Sequence, residues 1–222
     1  MMKNLFIFLF SILVIAQEKE MAIGEFDELK VKDGIQVTLI PSDENKIIIS
    51  GKHIEDVVVI NKGKRLKLRM KTKRILSGFN TTIELFYSET IGKIEAKEGS
   101  FVSSKDALLQ PLIELEAKEG AEIDLILDVE KVDASVVTGG IVTLKGAATN
   151  QDLIVSTGAT AKTKELLTEQ TSVSINAGGN AYINASKVVQ ATVRAGGIVR
   201  VYGKPQQLNK TVFLGGSVIE LE

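Results

Sequence analysis

The pentapeptide Glu95-Ala96-Lys97-Glu98-Gly99 returns unchanged as Glu116-Ala117-Lys118-Glu119-Gly120, placing carboxylates and ammonium groups at identical spacing in two successive segments. If the two copies stack, Glu lies on Glu and Lys on Lys, and like charges about 5 Å apart repel by roughly 1 kcal/mol in water. Neighbouring residues of the opposite sign can offset that, and Glu98 and Glu119 could share a cation. Two carboxylates without further oxygen donors make a poor calcium site, so a structural ladder is favoured over a metal centre. His53 is the single histidine. Serine and acidic residues are plentiful, yet no Gly-x-Ser-x-Gly elbow is present to carry a hydrolytic triad, and a loop histidine is the simpler reading. No catalytic, cofactor-binding or metal-ligating residue is therefore assigned.

The strongest charge feature is the basic run Lys62, Lys64, Arg65, Lys67, Arg69, Lys71, Lys73 and Arg74. Leu66, Leu68 and Met70 alternate with it, so the cations share one outward face of a strand, as a solvated face or a protected edge. Nucleic-acid contact is disfavoured because no aromatic residues are interleaved. A formal charge of −1 gives no broad electrostatic footprint for nucleic acid or an anionic membrane either. With no cysteine there are no disulfides, thiolate metal sites or thiol nucleophiles. Packing and backbone hydrogen bonds alone must hold the chain together.

What positions these groups is a glycine that returns at Gly99, Gly120, Gly139, Gly158, Gly178, Gly196 and Gly215, at intervals of 18 to 21 residues. The residue after each is small: Ser100, Ala121, Gly140, Ala159, Gly179, Gly197 and Gly216. Three places before stand Ala96, Ala117, Val136, Val155, Ile175, Val193 and Val212. Three places after stand Val102, Ile123, Val142, Ala161, Ala181, Val199 and Val218. Apolar alternation on both sides of a glycine corner at this period describes one coil of a solenoid. The expected fold is all-β, a right-handed parallel β-helix of about seven or more coils with a β-rich N-terminal portion. Looser segments such as Lys105 to Leu109, Lys164 to Leu167 and Lys187 to Val189 are expected to form a third side.

Ahead of the repeat, residues 1–16 read as a secretory signal: Lys3, then the run Leu5 to Ile15 broken only by Ser11, then Ala16. The run falls short of the roughly 20 apolar residues a spanning helix needs. No cysteine follows it to carry a lipid, and removing Lys3 would take the charge from −1 to −2. Residues 17–24 are expected as a charged leader and residues 25–222 as a single solenoid domain. In residues 25–93, Leu29 and Val31 before Gly34, and Val37 and Leu39 after it, keep the register of the later coils, so this turn reads as a diverged coil. Strands are expected over Lys46 to Ser50 and Thr81 to Tyr87, with a hairpin between Val57 to Ile60 and Leu66 to Met70, turning at Asn61-Lys62-Gly63.

The segment Phe26-Asp27-Glu28-Leu29-Lys30-Val31, then Gly34-Ile35-Gln36-Val37-Thr38-Leu39, the glycine-paired coils, and the closing Tyr202-Gly203-Lys204-Pro205 resemble the head GIN domain family, also labelled "putative auto-transporter adhesin". Tyr87 departs from it, standing where relatives often have proline. The resemblance implies an exported bacterial β-solenoid with an adhesin-like role, in the periplasm, on the outer surface or secreted, and brings no catalytic residues. The expected function is a non-enzymatic envelope module meeting a protein or glycan through repeated polar positions such as Lys118, Asn176 and Arg194. The alternative is a polysaccharide-binding or polysaccharide-processing solenoid, disfavoured by the lack of tryptophan and of stacked aspartates. A third reading is self-association through the apolar end Val218, Ile219 and Leu221. No nucleic-acid partner and no membrane-spanning segment after signal cleavage are expected.

Overall fold

A computed structural model describes residues 18–74 and 78–221; the expected signal segment lies outside them. The strands are β1 (Glu18–Ala22), β2 (Glu28–Val31), β3 (Gln36–Pro41), β4 (Lys46–Gly51), β5 (Val57–Lys62), β6 (Arg65–Met70), β7 (Thr81–Tyr87) and β8 (Lys93–Ala96). Five long strands follow: β9 (Phe101–Ala117), β10 (Glu122–Val137), β11 (Ile141–Ser156), β12 (Thr160–Ile175) and β13 (Asn180–Ala195). The chain closes with β14 (Ile198–Tyr202), β15 (Gln207–Leu214) and β16 (Ser217–Glu220). All belong to one sheet wound on itself, a β-solenoid of stacked coils.

Each long strand serves two walls. Its first half pairs in parallel with the first halves above and below, forming a leading wall, and its second half forms a trailing wall. At the C-terminal end, the two halves of β13 are met separately by β14 and β15, and β16 follows on β14. The apolar column three places before the glycines is continuous in register: Val31, Ala96, Ala117, Val136, Val155, Ile175, Val193, Val212. The column three places after runs Val37, Val102, Ile123, Val142, Ala161, Ala181, Val199, Val218. The Gly34 turn therefore stacks under the Gly99 turn, although β4 to β7 intervene in the chain. Period-2 alternation turns both columns inward, where almost every member is fully buried.

Residues between β3 and β8 close the N-terminal end. β7 and β4 extend the leading wall beyond β3, with β4 antiparallel, and the β5–β6 hairpin extends the trailing wall beyond β2. Three expectations shift. The leader is no mere approach to the fold, because Glu18–Ala22 pairs with β4 as an edge strand. The hairpin turns at Gly63 and Lys64, both left-handed at φ 58° and 63°, later than expected. The segments assigned to a third side are absorbed into β9, β12 and β13, where register shifts accommodate extra residues.

The corners explain the small residues. In four successive coils the pairs Glu98-Gly99, Glu119-Gly120, Thr138-Gly139 and Thr157-Gly158 are both left-handed, as a tight turn of two central positive-φ residues requires. In the last three coils the left-handed pair moves one residue on, to Gly178-Gly179, Gly196-Gly197 and Gly215-Gly216. There a Cβ on Gly179 or Gly197 would sit within 3 Å of the carbonyl oxygen of the coil below, so the second glycine is required by contact as well as conformation.

Candidate functional site

The trailing wall neutralises itself. Glu95 and Glu116 stack in register, yet Lys30 and Lys97 pair with Glu95, while Lys93 at 2.8 Å and Lys118 at 2.6 Å pair with Glu116. Burial pushes the Glu116 carboxyl up, but hydrogen bonds from Lys118 and Lys93 outweigh it and hold the group down at about 2. The same contest leaves Glu95 below the ordinary carboxylate range. Glu98 pairs with Lys32 and shares a hydrogen bond with the buried Asp33, which lowers Glu98; Asp33 is raised, first by burial and then by that bond. Glu98 therefore has Lys32 as its charge partner, and among the described residues no group of three or more His, Cys, Asp or Glu side chains could hold a metal ion.

The basic run also belongs to this wall. Leu66, Leu68 and Met70 are fully buried, and the outward cations lie on β6 between β5 and β2. β6 is thus an interior strand whose cations form a solvated face, with Arg65 2.7 Å from Glu28, and the edge belongs to β5. His53 is exposed, with left-handed backbone, just before a 3₁₀ turn over Ile54–Asp56. Farther along, charge gives way to hydroxyl and amide groups: Ser172 and Ser174 on β12, Asn176 just after it, and Gln190 and Thr192 on β13. Arg194 donates to both Ser174 Oγ and Asn176 Oδ1 at 2.6 Å. Lys118, Asn176 and Arg194 do share one outward position two places before a glycine, as the repeat arithmetic requires.

The leading wall differs. Four places after the glycines, Thr143, Lys162, Tyr182, Arg200 and Ile219 stand one above another on β11, β12, β13, β14 and β16. The Arg200 guanidinium lies 5.0 Å from the centroid of the Tyr182 ring, and Lys164 Nζ lies 4.4 Å from that of Tyr202. Such contacts are worth about 0.5–1 kcal/mol at exposed sites. Arg200 Nη1 is buried and has no hydrogen-bond partner. Among the described residues Lys162, Lys164 and Arg200 make no ion pair, whereas Lys145 lies 3.7 Å from Asp124. Beside the row opens a cavity of about 310 Å³ lined by Thr143, Thr160, Lys162, Lys164, Glu165 and Tyr182 among others. The arrangement offers cationic donors, two hydroxyls and an aromatic ring on a rigid, in-register support.

Over residues 25–205 the sequence matches the family described as "Putative auto-transporter adhesin, head GIN domain". The chain belongs to this family. No curated protein matches it in sequence. Among solved structures it is similar to a putative adhesin from Bacteroides fragilis, with a TM-score of 0.86 and 19% identity over 94% of this chain and 98% of the other. A putative adhesin from Parabacteroides distasonis gives 0.73 at 18% identity, covering 93% and 97%. A protein from the same species named as a putative lipid binding protein gives 0.71 at 13% identity, covering 95% and 98%. At these identities the likeness establishes the shared solenoid fold.

Sequence reasoning passed over the cation–tyrosine row of this GIN-domain chain. The signal was available: counting four residues past Gly139, Gly158, Gly178 and Gly196 gives Thr143, Lys162, Tyr182 and Arg200. The sequence has no tryptophan, and Tyr182 and Tyr202 stand in and beside this row.

Proposed function

We propose that the chain is a non-enzymatic, exported envelope or surface protein whose solenoid presents an adhesin-like wall to a macromolecular partner. The observation that carries this reading is the leading-wall row, where tyrosines and cations that make no ion pair among the described residues stand at the strand spacing of about 4.8 Å. Repetition of modest contacts on a rigid lattice suits multivalent attachment to an extended partner. The family's adhesin description supports the same reading. So does the Leu5–Ile15 run, which fits export. Cell fractionation combined with retention of the purified chain on immobilised envelope material tests it. Recovery from the envelope or medium together with saturable retention is expected; a cytoplasmic chain that washes straight through would end it.

A self-associating end is a second reading, favoured by one observation. Val212, Phe213 and Leu214 on β15 and Ile219 on β16 are exposed on the last described coil. Light scattering across a concentration series decides it, and a strict monomer would end it.

A further inference from the structure

We propose that the leading-wall cleft lined by Lys162, Lys164 and Tyr182, with Arg200 beside it on the next strand, binds a carboxylated glycan, a polymer of uronate-type sugars. The inference rests on the interaction reading above and names the chemistry of the partner. Three features of the cleft select it. First, Lys162 and Lys164 line the cavity and, among the described residues, make no ion pair, with Glu165 the only acidic residue of the described lining. Arg200 stands next in register beyond Tyr182, with its guanidinium 5.0 Å from the Tyr182 ring centroid, and adds positive charge beside the cavity.

Second, Thr143 and Thr160 line the same cavity, placing hydroxyl groups beside the cations. A sugar ring carries both carboxylate and hydroxyls and meets this mixture. An acidic peptide would leave the threonines unused, and a nucleic acid calls for a run of stacking surfaces that the row does not have. Third, Tyr182 both contacts Arg200 and lines the cavity, so an aromatic surface adjoins the charged groups at the point where a pyranose face would rest. The cavity of about 310 Å³ is at the low end of ligand pockets. It therefore accommodates a sugar unit or two, with the rest of a chain continuing along the row toward Thr143 on one side and Ile219 on the other. The support is rigid: β11 to β14 are held by parallel ladders on both sides, so the groups are placed before the ligand arrives.

The test is calorimetric titration of the chain from Gln17 onward with oligogalacturonate and oligomannuronate, and with the neutral methyl ester of each. Lys162→Gln, Arg200→Gln, Arg200→Lys and Tyr182→Leu are compared with Lys210→Gln on the trailing wall, each checked by its melting curve. The acidic oligomers are expected to bind, with the esters weaker by about tenfold or more. Lys162→Gln and Arg200→Gln should each weaken binding about fivefold or more, Tyr182→Leu by a similar factor, and Lys210→Gln by less than about twofold. Arg200→Lys should fall between the parent and Arg200→Gln, because it keeps the charge and loses the fork of donors. Failure of both acidic oligomers to bind, equal binding of the esters, equal binding of inorganic polyphosphate, or equal loss in Lys210→Gln overturns the inference. If the uronates fail while the chain is still retained on envelope material, only the glycan assignment falls; if retention fails too, the interaction reading falls with it.

Discussion

Thr138 and Thr157 occupy the first left-handed position of their corners, at φ 52° and 55°, and both are exposed. A β-branched residue is poorly suited there: left-handed backbone costs an L-residue about 1–2 kcal/mol, while asparagine tolerates it. Thr138→Asn should therefore stabilise the chain by about 1 kcal/mol, since its side chain has no hydrogen bond among the described residues to lose. For a domain of this size that raises the melting temperature by about 2–4 °C. Thr160→Asn, at the start of β12, is the matched control; there a β-branched residue is favourable, and the change should cost about 0.5 kcal/mol. Thr138→Gly should gain less than Thr138→Asn, because glycine also frees the unfolded chain. Gly139 N–H donates to the Thr157 carbonyl, so the double variant Thr138→Asn/Thr157→Asn is expected to deviate modestly from additivity. Thermal and urea unfolding followed by circular dichroism reads all four. A Thr138→Asn variant melting at or below the parent would refute the reasoning about these corners.

Further outcomes follow from the same geometry. Val155 is fully buried between Val136 and Ile175, so Val155→Ala should cost about 2–3 kcal/mol, whereas Val212→Ala, at the same repeat position but 42% exposed, should cost about 0.5 kcal/mol; equal losses in urea unfolding would contradict the column. Gly146 has φ 100°, and a Cβ there would lie 2.1 Å from the Leu127 carbonyl oxygen, so Gly146→Ala should lose about 3 kcal/mol or more, and a parent-like melting curve would contradict the close contact. Glu116, ordinarily near 4.5, is held at about 2, so its contribution is present above pH 4.5 and lost as the pH falls toward 2. Allowing for partial solvent screening, Glu116→Gln should cost about 1–2 kcal/mol at pH 7 and almost nothing near pH 2; a loss independent of pH would sink the ion-pair account.

The inward half of this molecule was legible in the sequence because packing constrains it. A solenoid coil must place an apolar residue at the same offset from every corner, so Val136, Val155 and Ile175 reveal their stacking by counting alone. Gly34 obeys the same offsets, and its place under Gly99 could be read across the intervening strands. The outward half was less legible because solvent tolerates many residue types. Lys30 reaches Glu95 only once β2 is known to lie beside β8, a register that depends on the chain returning through β4 to β7. The choice between solvated face and protected edge was open for a similar reason: alternation in Lys67, Leu68, Arg69 and Met70 gives the inward face but does not tell an interior strand from an edge. The charged Glu18–Ala22 segment, with burial alternating only weakly, carries little signal of its own and becomes a strand by pairing with β4. Tyr182 and Arg200 are 18 residues apart, and their contact appears only when successive coils are aligned.

The central claim is that the chain meets its partner through the leading wall. The direct measurement is retention on immobilised envelope material of the double charge reversal Lys162→Glu/Arg200→Glu beside the trailing-wall reversal Lys67→Glu/Lys210→Glu, with both variants matched to the parent in circular dichroism. Loss of retention by about tenfold in the first and parent-like retention in the second is predicted. Equal retention of both, or loss confined to the trailing-wall pair, would contradict the account.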